Sequence, residues 1–209
     1  MHADRAETTT RSAETAARAI RKVAVVGAGV MGSGIAAHLA NAGIPCLLLD
    51  IVPKPGQGDD PNDPAFRNRL AARAIAGLAR QKPAPLMVPQ AAALIEAGNV
   101  ADDMPRIAEC DWIVEAVKED IAVKRTVFAA IEAHRRDDAI VSSNTSGLSV
   151  AAMLEGRSDS FRKHFLVTHF FNPVRYMRLL EIVSGPQTDP AVTARMTAFG
   201  ERVLGNAAK

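Results

Sequence analysis

A glycine-rich turn after a short apolar run constrains the fold of this chain more than any other feature. Val23–Val26 is continuously apolar, as in a strand that is buried on both faces. Gly27, Gly29 and Gly32 follow with G-x-G-x-x-G spacing, and small and apolar residues then continue over 31–40. This order predicts a buried strand, a tight turn and a helix that packs closely on the sheet.

A second apolar run, residues 46–49, ends on Asp50, 18 residues after Gly32. A carboxylate at that place is suited to accept both ribose hydroxyls of an adenosine, while the helix N-terminus holds a diphosphate. The stretch therefore predicts a dinucleotide site, and Asp50 favours NAD over NADP because a 2′-phosphate would be repelled. The alternative is a glycine turn in a nucleotide-free α/β protein, with Asp50 starting a turn.

The rest of the chain alternates between strand and helix patterns. Strands are predicted at 111–117, 139–142, 166–170 and 177–183, and helices at about 120–136 and 189–204. Val123, Val127 and Ile131 form the expected inner face of the first of these helices. The fold class is thus α/β, a Rossmann-type doubly wound, mostly parallel sheet with an antiparallel strand near the C-terminus.

A helical excursion interrupts this plan after the second strand, at about 63–98. A loop rich in proline and glycine leads to a predicted helix from Asp63 to about residue 80, and prolines then precede a shorter helix over 90–97. Arg67, Arg69 and Arg73 lie within two turns of the first helix. They are either a solvated face or a basic patch for substrate phosphates.

Composition excludes several classes of partner and site. A net charge of +2 gives no reason to expect nucleic acid or a membrane surface, and no apolar run has membrane-spanning length. Cys46 and Cys110 are predicted to be buried thiols in a reducing, cytoplasmic compartment, without metal-ligand spacing. Residues 1–20 are expected to form a mobile N-terminal arm ahead of a domain spanning 21–209.

Four further stretches accompany the glycine turn: Val-Glu-Ala-Val at 114–117, Ser-Asn-Thr-Ser at 143–146, His-Phe-Phe-Asn-Pro at 169–173 and Leu-Glu-Ile-Val at 180–183. In this order and spacing the chain resembles the L-3-hydroxyacyl-CoA dehydrogenases over about residues 20–205. The resemblance implies NAD-dependent oxidation of an L-3-hydroxyacyl-CoA to a 3-ketoacyl-CoA in fatty-acid β-oxidation. It implies that His169 is the catalytic base, Glu181 its partner and Ser146 a contact to substrate and nicotinamide. It implies cofactor contacts from Gly27, Gly29, Val30, Met31, Gly32, Asp50, Ala116, Val117, Glu119, Lys124, Ser146 and Asn172.

The residue types suit this chemistry. Removing hydride from a secondary alcohol requires a base for the hydroxyl proton, and imidazole titrates in the useful range. His169 and Glu181 lie on successive predicted strands separated by a turn, so contact between them across the strands is feasible. Each has a plain alternative: His169 as a core residue between aromatic residues, Glu181 as an exposed strand residue, Lys124 as a surface lysine.

The excursion resembles that of large bacterial relatives, in which this domain is joined to an enoyl-CoA hydratase region. Family members also continue with a further sheet strand and an all-helical domain that closes the cleft and forms a homodimer, and both are expected to lie beyond these 209 residues.

Two alternative functions stay open. One is another β-hydroxyacid dehydrogenase, which would use a downstream lysine instead of His169 and Glu181. The other is a non-catalytic NAD-binding or structural module.

Overall fold

An eight-stranded sheet forms the centre of the structure, a computed structural model that describes residues 19–209. Its strands are β1 (Val23–Val26), β2 (Cys46–Asp50), β3 (Ile95–Asn99), β4 (Trp112–Glu115), β5 (Ile140–Ser143), β6 (Phe165–Phe170), β7 (Leu179–Ser184) and β8 (Ala207–Ala208). The order across the sheet is β3-β2-β1-β4-β5-β6-β7-β8. The strands from β3 to β6 are parallel, β7 is antiparallel to β6, and β8 is parallel to β7.

The helices that cover the sheet are α1 (Val30–Asn41), α2 (Pro64–Arg67), α3 (Arg69–Leu78), α4 (Ile121–His134), α5 (Val150–Met153), α6 (Asp159–Lys163) and α7 (Pro190–Arg202). Short 3₁₀ helices occupy Pro89–Leu94 and Met104–Glu109. Asp63, Asp120 and Asp189 each cap a helix by accepting a backbone N–H bond. The predicted class, a doubly wound and mostly parallel sheet with an antiparallel strand near the C-terminus, is confirmed.

Two apolar layers sandwich the sheet, and β1 contributes to both. Val23 and Val25 point toward the layer beneath α1 and α7, whereas Ala24 and Val26 point toward the layer beneath α4. All four side chains are buried, as expected for a central parallel strand. The carboxyl ends of β1, β2, β4, β5 and β6 therefore meet at one edge, where an open α/β sheet binds its ligands.

The predicted helix over 90–97 is wrong. A 3₁₀ helix ends at Leu94, and Ile95–Asn99 instead forms β3, which pairs in parallel with β2. Without β3 the buried strand β2 would have an unpaired edge, and this tertiary demand outweighs local helix propensity. Gly98 does not end a helix: a Cβ there would lie 2.7 Å from Asp103 Oδ2 and 2.8 Å from Leu49 Cδ2, so these two side chains occupy the space that a larger residue would need.

The helix predicted from Asp63 is interrupted at Asn68 and ends at Leu78. The side-chain oxygen of Asn68 accepts a bond of 2.6 Å from the Asn99 side chain, which ties the break to the end of β3. The excursion is therefore anchored to the sheet edge and is only partly helical.

The predicted boundary at residue 20 needs correction. Most of the predicted arm lies outside the described residues, but Ile20, at its end, is buried in the core beneath α1. At the other end of the chain, Ala207–Ala208 forms the short strand β8 beside β7. Among residues 19–209, no helix is long and apolar enough to cross a membrane.

His38 on α1 is a buried side chain whose charge depends on pH. Its Nε2–H donates to Asn206 Oδ1 at 3.0 Å, while Nδ1 is buried without a hydrogen-bond partner among residues 19–209. Burial lowers the pKa of His38, and the bond to Asn206 raises it by less. The folded chain therefore holds this imidazole neutral where an exposed histidine would be protonated.

We expect the free energy of unfolding to fall as the pH is lowered below about 6.5, because unfolded His38 then binds a proton that folded His38 does not. Thermal denaturation at a series of pH values measures this dependence. His38→Gln should reduce the slope, whereas His134→Gln, at an exposed position on α4, should retain it. Identical slopes in wild type and His38→Gln would contradict the assignment.

Candidate cofactor and catalytic site

The glycine turn between β1 and α1 is closed on two sides and open on the third. Gly27 has φ +106°, and a Cβ there would lie 2.6 Å from the Ala116 carbonyl oxygen. A Cβ on Gly32 would lie 1.7 Å from the Gly27 oxygen, so α1 packs directly on the turn. Beside Gly29 a Cβ would meet no described atom within 4 Å. That open side, at the N-terminus of α1, is suited to an anionic group.

Asp50 ends β2 beside this turn with its carboxylate held in a fixed orientation. Oδ2 accepts from the Ala28 N–H and Oδ1 from the Ile51 N–H, both at 2.7 Å. The carboxylate lies at a cleft of about 680 Å³, lined mainly by apolar side chains. Its lining includes Val26, Gly27, Gly29, Asp50, Ile51, Val100, Met104, Ala116, Val117, Lys118, Val123, Thr126, Val127 and Ala130.

On the far side of β1, the loops after β4 and β5 form a polar rim. Glu119 Oε1 accepts bonds from the Thr145 hydroxyl and, at 3.3 Å, from the Ser146 N–H. Burial raises the pKa of Glu119, but the Thr145 hydroxyl and the nearby Lys124 charge outweigh it, so the pKa is lowered. Glu119 is therefore ionised at neutral pH, and the Ser146 side chain is exposed beside it.

Beneath this rim lies a buried ion pair. The side chains of Lys124 and Glu115 are 1 % and 0 % exposed, and Lys124 Nζ lies 2.7 Å and 2.9 Å from the two Glu115 oxygens. Nζ also lies 3.2 Å from Glu119 Oε2. The surface alternative for Lys124 is thus wrong, and the inner face of α4 consists of Lys124, Phe128 and Ile131. The sequence prediction assigned that face to Val123, Val127 and Ile131. Ile131 is confirmed, whereas Val123 and Val127 line the cleft.

Sequence reasoning did not single out Glu115. The available signal was a lone carboxylate in an apolar strand, with a lysine nine residues later on the following helix. A second residue that was not assigned a role is Asn144, whose Oδ1 accepts a 2.9 Å bond from the Phe170 N–H. This bond joins the end of β5 to the strand that carries His169.

His169 and Glu181 face each other across the antiparallel pair β6–β7, so the predicted cross-strand contact is confirmed. His169 Nδ1 lies 2.8 Å from Glu181 Oε2, and the Phe171 ring packs against the imidazole at 4.4 Å between centroids. With Nδ1–H donating to the carboxylate, Nε2 is the nitrogen left to accept a proton. The His169 side chain is 19 % exposed at the sheet edge, and it lies outside the set of residues that line the 680 Å³ cleft.

The remaining predicted residues fall into two groups. Val30 and Asn172 are exposed, and Met31 is partly buried in the first turn of α1. The three arginines lie on the excursion: Arg67 pairs with Asp102 at 2.5 Å, Arg69 with Asp59 at 2.6 Å, and Arg73 is exposed. The glycine turn and Asp50 thus lie on the β1–β2 side of the sheet edge. Glu119 and Ser146 lie in the loops after β4 and β5, and His169 lies near the end of β6.

The profile of the family described as 3-hydroxyacyl-CoA dehydrogenase, NAD binding domain, matches residues 22–208. The chain belongs to this family. A probable 3-hydroxyacyl-CoA dehydrogenase of Bacillus subtilis (strain 168) is 54 % identical over 194 residues, which cover 89 % of this chain and 24 % of that protein. A putative fatty acid oxidation complex trifunctional enzyme of Rickettsia felis is 39 % identical, over 89 % of this chain and 25 % of its own length.

Among solved structures, FadB2 of M. tuberculosis is 31 % identical and superposes with a TM-score of 0.68, covering 91 % of this chain and 63 % of that one. The chain spans about a quarter of the length of the B. subtilis and R. felis relatives.

The residues present fit NAD, because the open side of Gly29 leaves room for a diphosphate and Asp50 presents oriented oxygens at an apolar cleft.

The glycine turn offers a matched pair of substitutions. Gly29→Ala should keep the wild-type melting temperature, because its Cβ meets no described atom, yet it should weaken NADH binding at least about tenfold by occupying the space of the diphosphate. Gly32→Ala should lower the melting temperature, because its Cβ would overlap the Gly27 oxygen. Calorimetric titration and thermal denaturation separate the two effects, and wild-type NADH affinity in Gly29→Ala would contradict this account.

Asp50 should select NADH over NADPH. The wild-type chain is expected to bind NADH at least about tenfold more tightly, because the carboxylate repels a 2′-phosphate. Asp50→Asn should bring the ratio of the NADPH and NADH dissociation constants closer to one, as measured by calorimetry. Asp60→Asn removes the same charge at an exposed loop position and should leave the ratio unchanged. Equal wild-type affinities for the two cofactors would rule out this role.

Proposed function

We propose that this chain is the cofactor-binding and catalytic His/Glu part of an NAD-dependent 3-hydroxyacyl-CoA dehydrogenase, which oxidises an L-3-hydroxyacyl-CoA to a 3-ketoacyl-CoA. The observation that carries the proposal is the 2.8 Å contact between His169 and Glu181 at the edge of the sheet where NAD binds. The names of the B. subtilis and R. felis relatives support dehydrogenase activity and a place in fatty-acid oxidation.

In this proposal His169 Nε2 accepts the proton of the substrate 3-hydroxyl, and bound NAD supplies the hydride acceptor. Glu181 holds Nδ1–H, which fixes the tautomer and stabilises the imidazolium after proton transfer. Asn144 holds the backbone beside the base through the Phe170 N–H. Ser146 contributes its exposed hydroxyl to substrate and nicotinamide. A base positioned in this way accelerates the reaction roughly 10²- to 10⁴-fold.

The other predicted cofactor contacts are assigned by their position at the rim. Glu119, Asn172 and the backbone of Ala116 and Val117 bind the nicotinamide half, since they follow β4 and β6. Val30 and Met31 contribute backbone N–H groups of the first turn of α1 to the diphosphate.

The acyl-CoA substrate and the assembly belong to the same proposal. The Glu181 side chain is 46 % exposed, and hydride transfer benefits from a closed site. We therefore place further protein over this side of the cleft, supplied by a longer parent through a helical domain, with a homodimer or a multidomain enzyme as the assembly. The greater length of the curated relatives supports a multidomain parent.

Arg67, Arg69 and Arg73 are proposed to meet the phosphates of CoA. The ion pairs of Arg67 with Asp102 and of Arg69 with Asp59 compete with this role. Arg73, which is exposed, then contributes most to CoA binding.

The test is reduction of acetoacetyl-CoA by NADH, measured for this chain and for the longer parent. His169→Gln should lower kcat at least about 100-fold, because the general base is lost, while the dissociation constant of NADH stays within about twofold. His134→Gln, on the exposed end of α4, is the matched control and should keep the wild-type rate. A His169→Gln enzyme with more than about a tenth of the wild-type kcat would exclude His169 as the base.

A further inference from the structure

We infer that the buried pair of Glu115 and Lys124 is a positioning element for the side of the NAD site formed after β4 and β5. The inference rests on the NAD site of the proposed function. It concerns how the rim is held, through the contact of the Lys124 ammonium with Glu119.

Glu115 is saturated by donors from three segments. Its Oε1 accepts from Lys124 Nζ at 2.7 Å and from the Val117 N–H at 2.8 Å. Its Oε2 accepts from Lys124 Nζ at 2.9 Å and from the Ser143 hydroxyl at 2.5 Å. The carboxylate therefore ties together the loop after β4, the end of β5 and helix α4. Charge-assisted bonds in a buried place hold such a junction rigidly.

Lys124 transmits this order to the rim. Its ammonium contacts Glu119 Oε2 at 3.2 Å, and the other Glu119 oxygen accepts from Thr145 and from the Ser146 N–H. A continuous chain of contacts thus leads from the core through Lys124 and Glu119 to Ser146. The Lys124 side chain is only 1 % exposed, so it lies beneath the rim as a link within this chain of contacts.

The location of the pair is the reason to assign it a functional task. A buried ion pair contributes little net stability, since replacing it by apolar groups is often neutral or stabilising. This pair lies under the carboxyl ends of β4 and β5, next to Ala116 and Val117, which line the cleft. In a doubly wound sheet the half of the dinucleotide beyond the glycine turn crosses to these strands, whereas Asp50 holds the adenosine half.

The decisive variant is Glu115→Gln/Lys124→Met, which removes both charges while Gln retains hydrogen-bonding groups for Val117 and Ser143. We expect its melting temperature to lie above that of Lys124→Met alone, because the single variant leaves a buried carboxylate unpaired. NADH and ADP are the two probes, and calorimetry gives both affinities. ADP carries only the adenosine and diphosphate groups that meet Asp50 and the glycine turn.

In the double variant NADH affinity should fall at least about tenfold, while ADP affinity changes by less than about twofold, since Glu119 is released and the Asp50 side is untouched. The control is Glu132→Gln/Arg157→Met, which removes a 2.6 Å ion pair between the C-terminal part of α4 and the segment after α5. Both affinities should then match the wild type, whatever the change in melting temperature.

Wild-type NADH affinity in the double variant, or equal losses for NADH and ADP, would overturn the inference. If the double variant does not fold, the single variant Glu115→Gln is tested in its place. It should also lose more affinity for NADH than for ADP. If the wild-type chain binds no NADH, the proposed function is overturned. If the wild-type chain binds NADH and the variants bind it equally well, only the inference about Glu115 and Lys124 is overturned.

Discussion

The contact between the Gly27 carbonyl and the first turn of α1 determines the positions of the other parts of the site. Since a Cβ on Gly32 would lie 1.7 Å from that oxygen, the helix and the turn are in direct backbone contact. On its other side Gly27 lies against the Ala116 carbonyl. The start of the loop after β4 is thus set relative to the glycine turn by backbone packing, and the rim at Glu119 beyond it is held through Lys124 and Glu115.

Local signals made the strands β1, β2 and β4 to β7 predictable, whereas β3 depends on a tertiary demand that its own sequence does not show. The strand over Val23–Val26, the glycine turn and Asp50 were predicted because apolar runs, glycine spacing and a terminal acid are all readable within a few residues. Strand β3 was missed because its sequence does not favour a strand by itself. It forms because β2, buried in the sheet, needs a partner along its outer edge.

The contacts of the site also differ in how far the sequence predicts them. His169 and Glu181 lie on consecutive strands, so their contact follows from a hairpin-like pairing that the sequence already indicates. The junction at Glu115 is different, because Ser143 and Lys124 reach it from separate elements. A lysine on the inner face of α4 contradicts the usual apolar pattern, and only the partners that surround it explain why it is buried.

The pairing of β6 with β7 has a consequence for how such a domain can diverge. His169 lies opposite Glu181 because of strand register, and a slip of one residue would place Leu180 or Ile182 there instead. The connecting segment, residues 171–178, takes no part in that register and carries the exposed side chains Tyr176 and Met177. Mutation at Tyr176 and Met177 can therefore alter the surface that this segment presents to other molecules, while His169 and Glu181 stay aligned. The acid–base pair and this part of the recognition surface can therefore evolve independently.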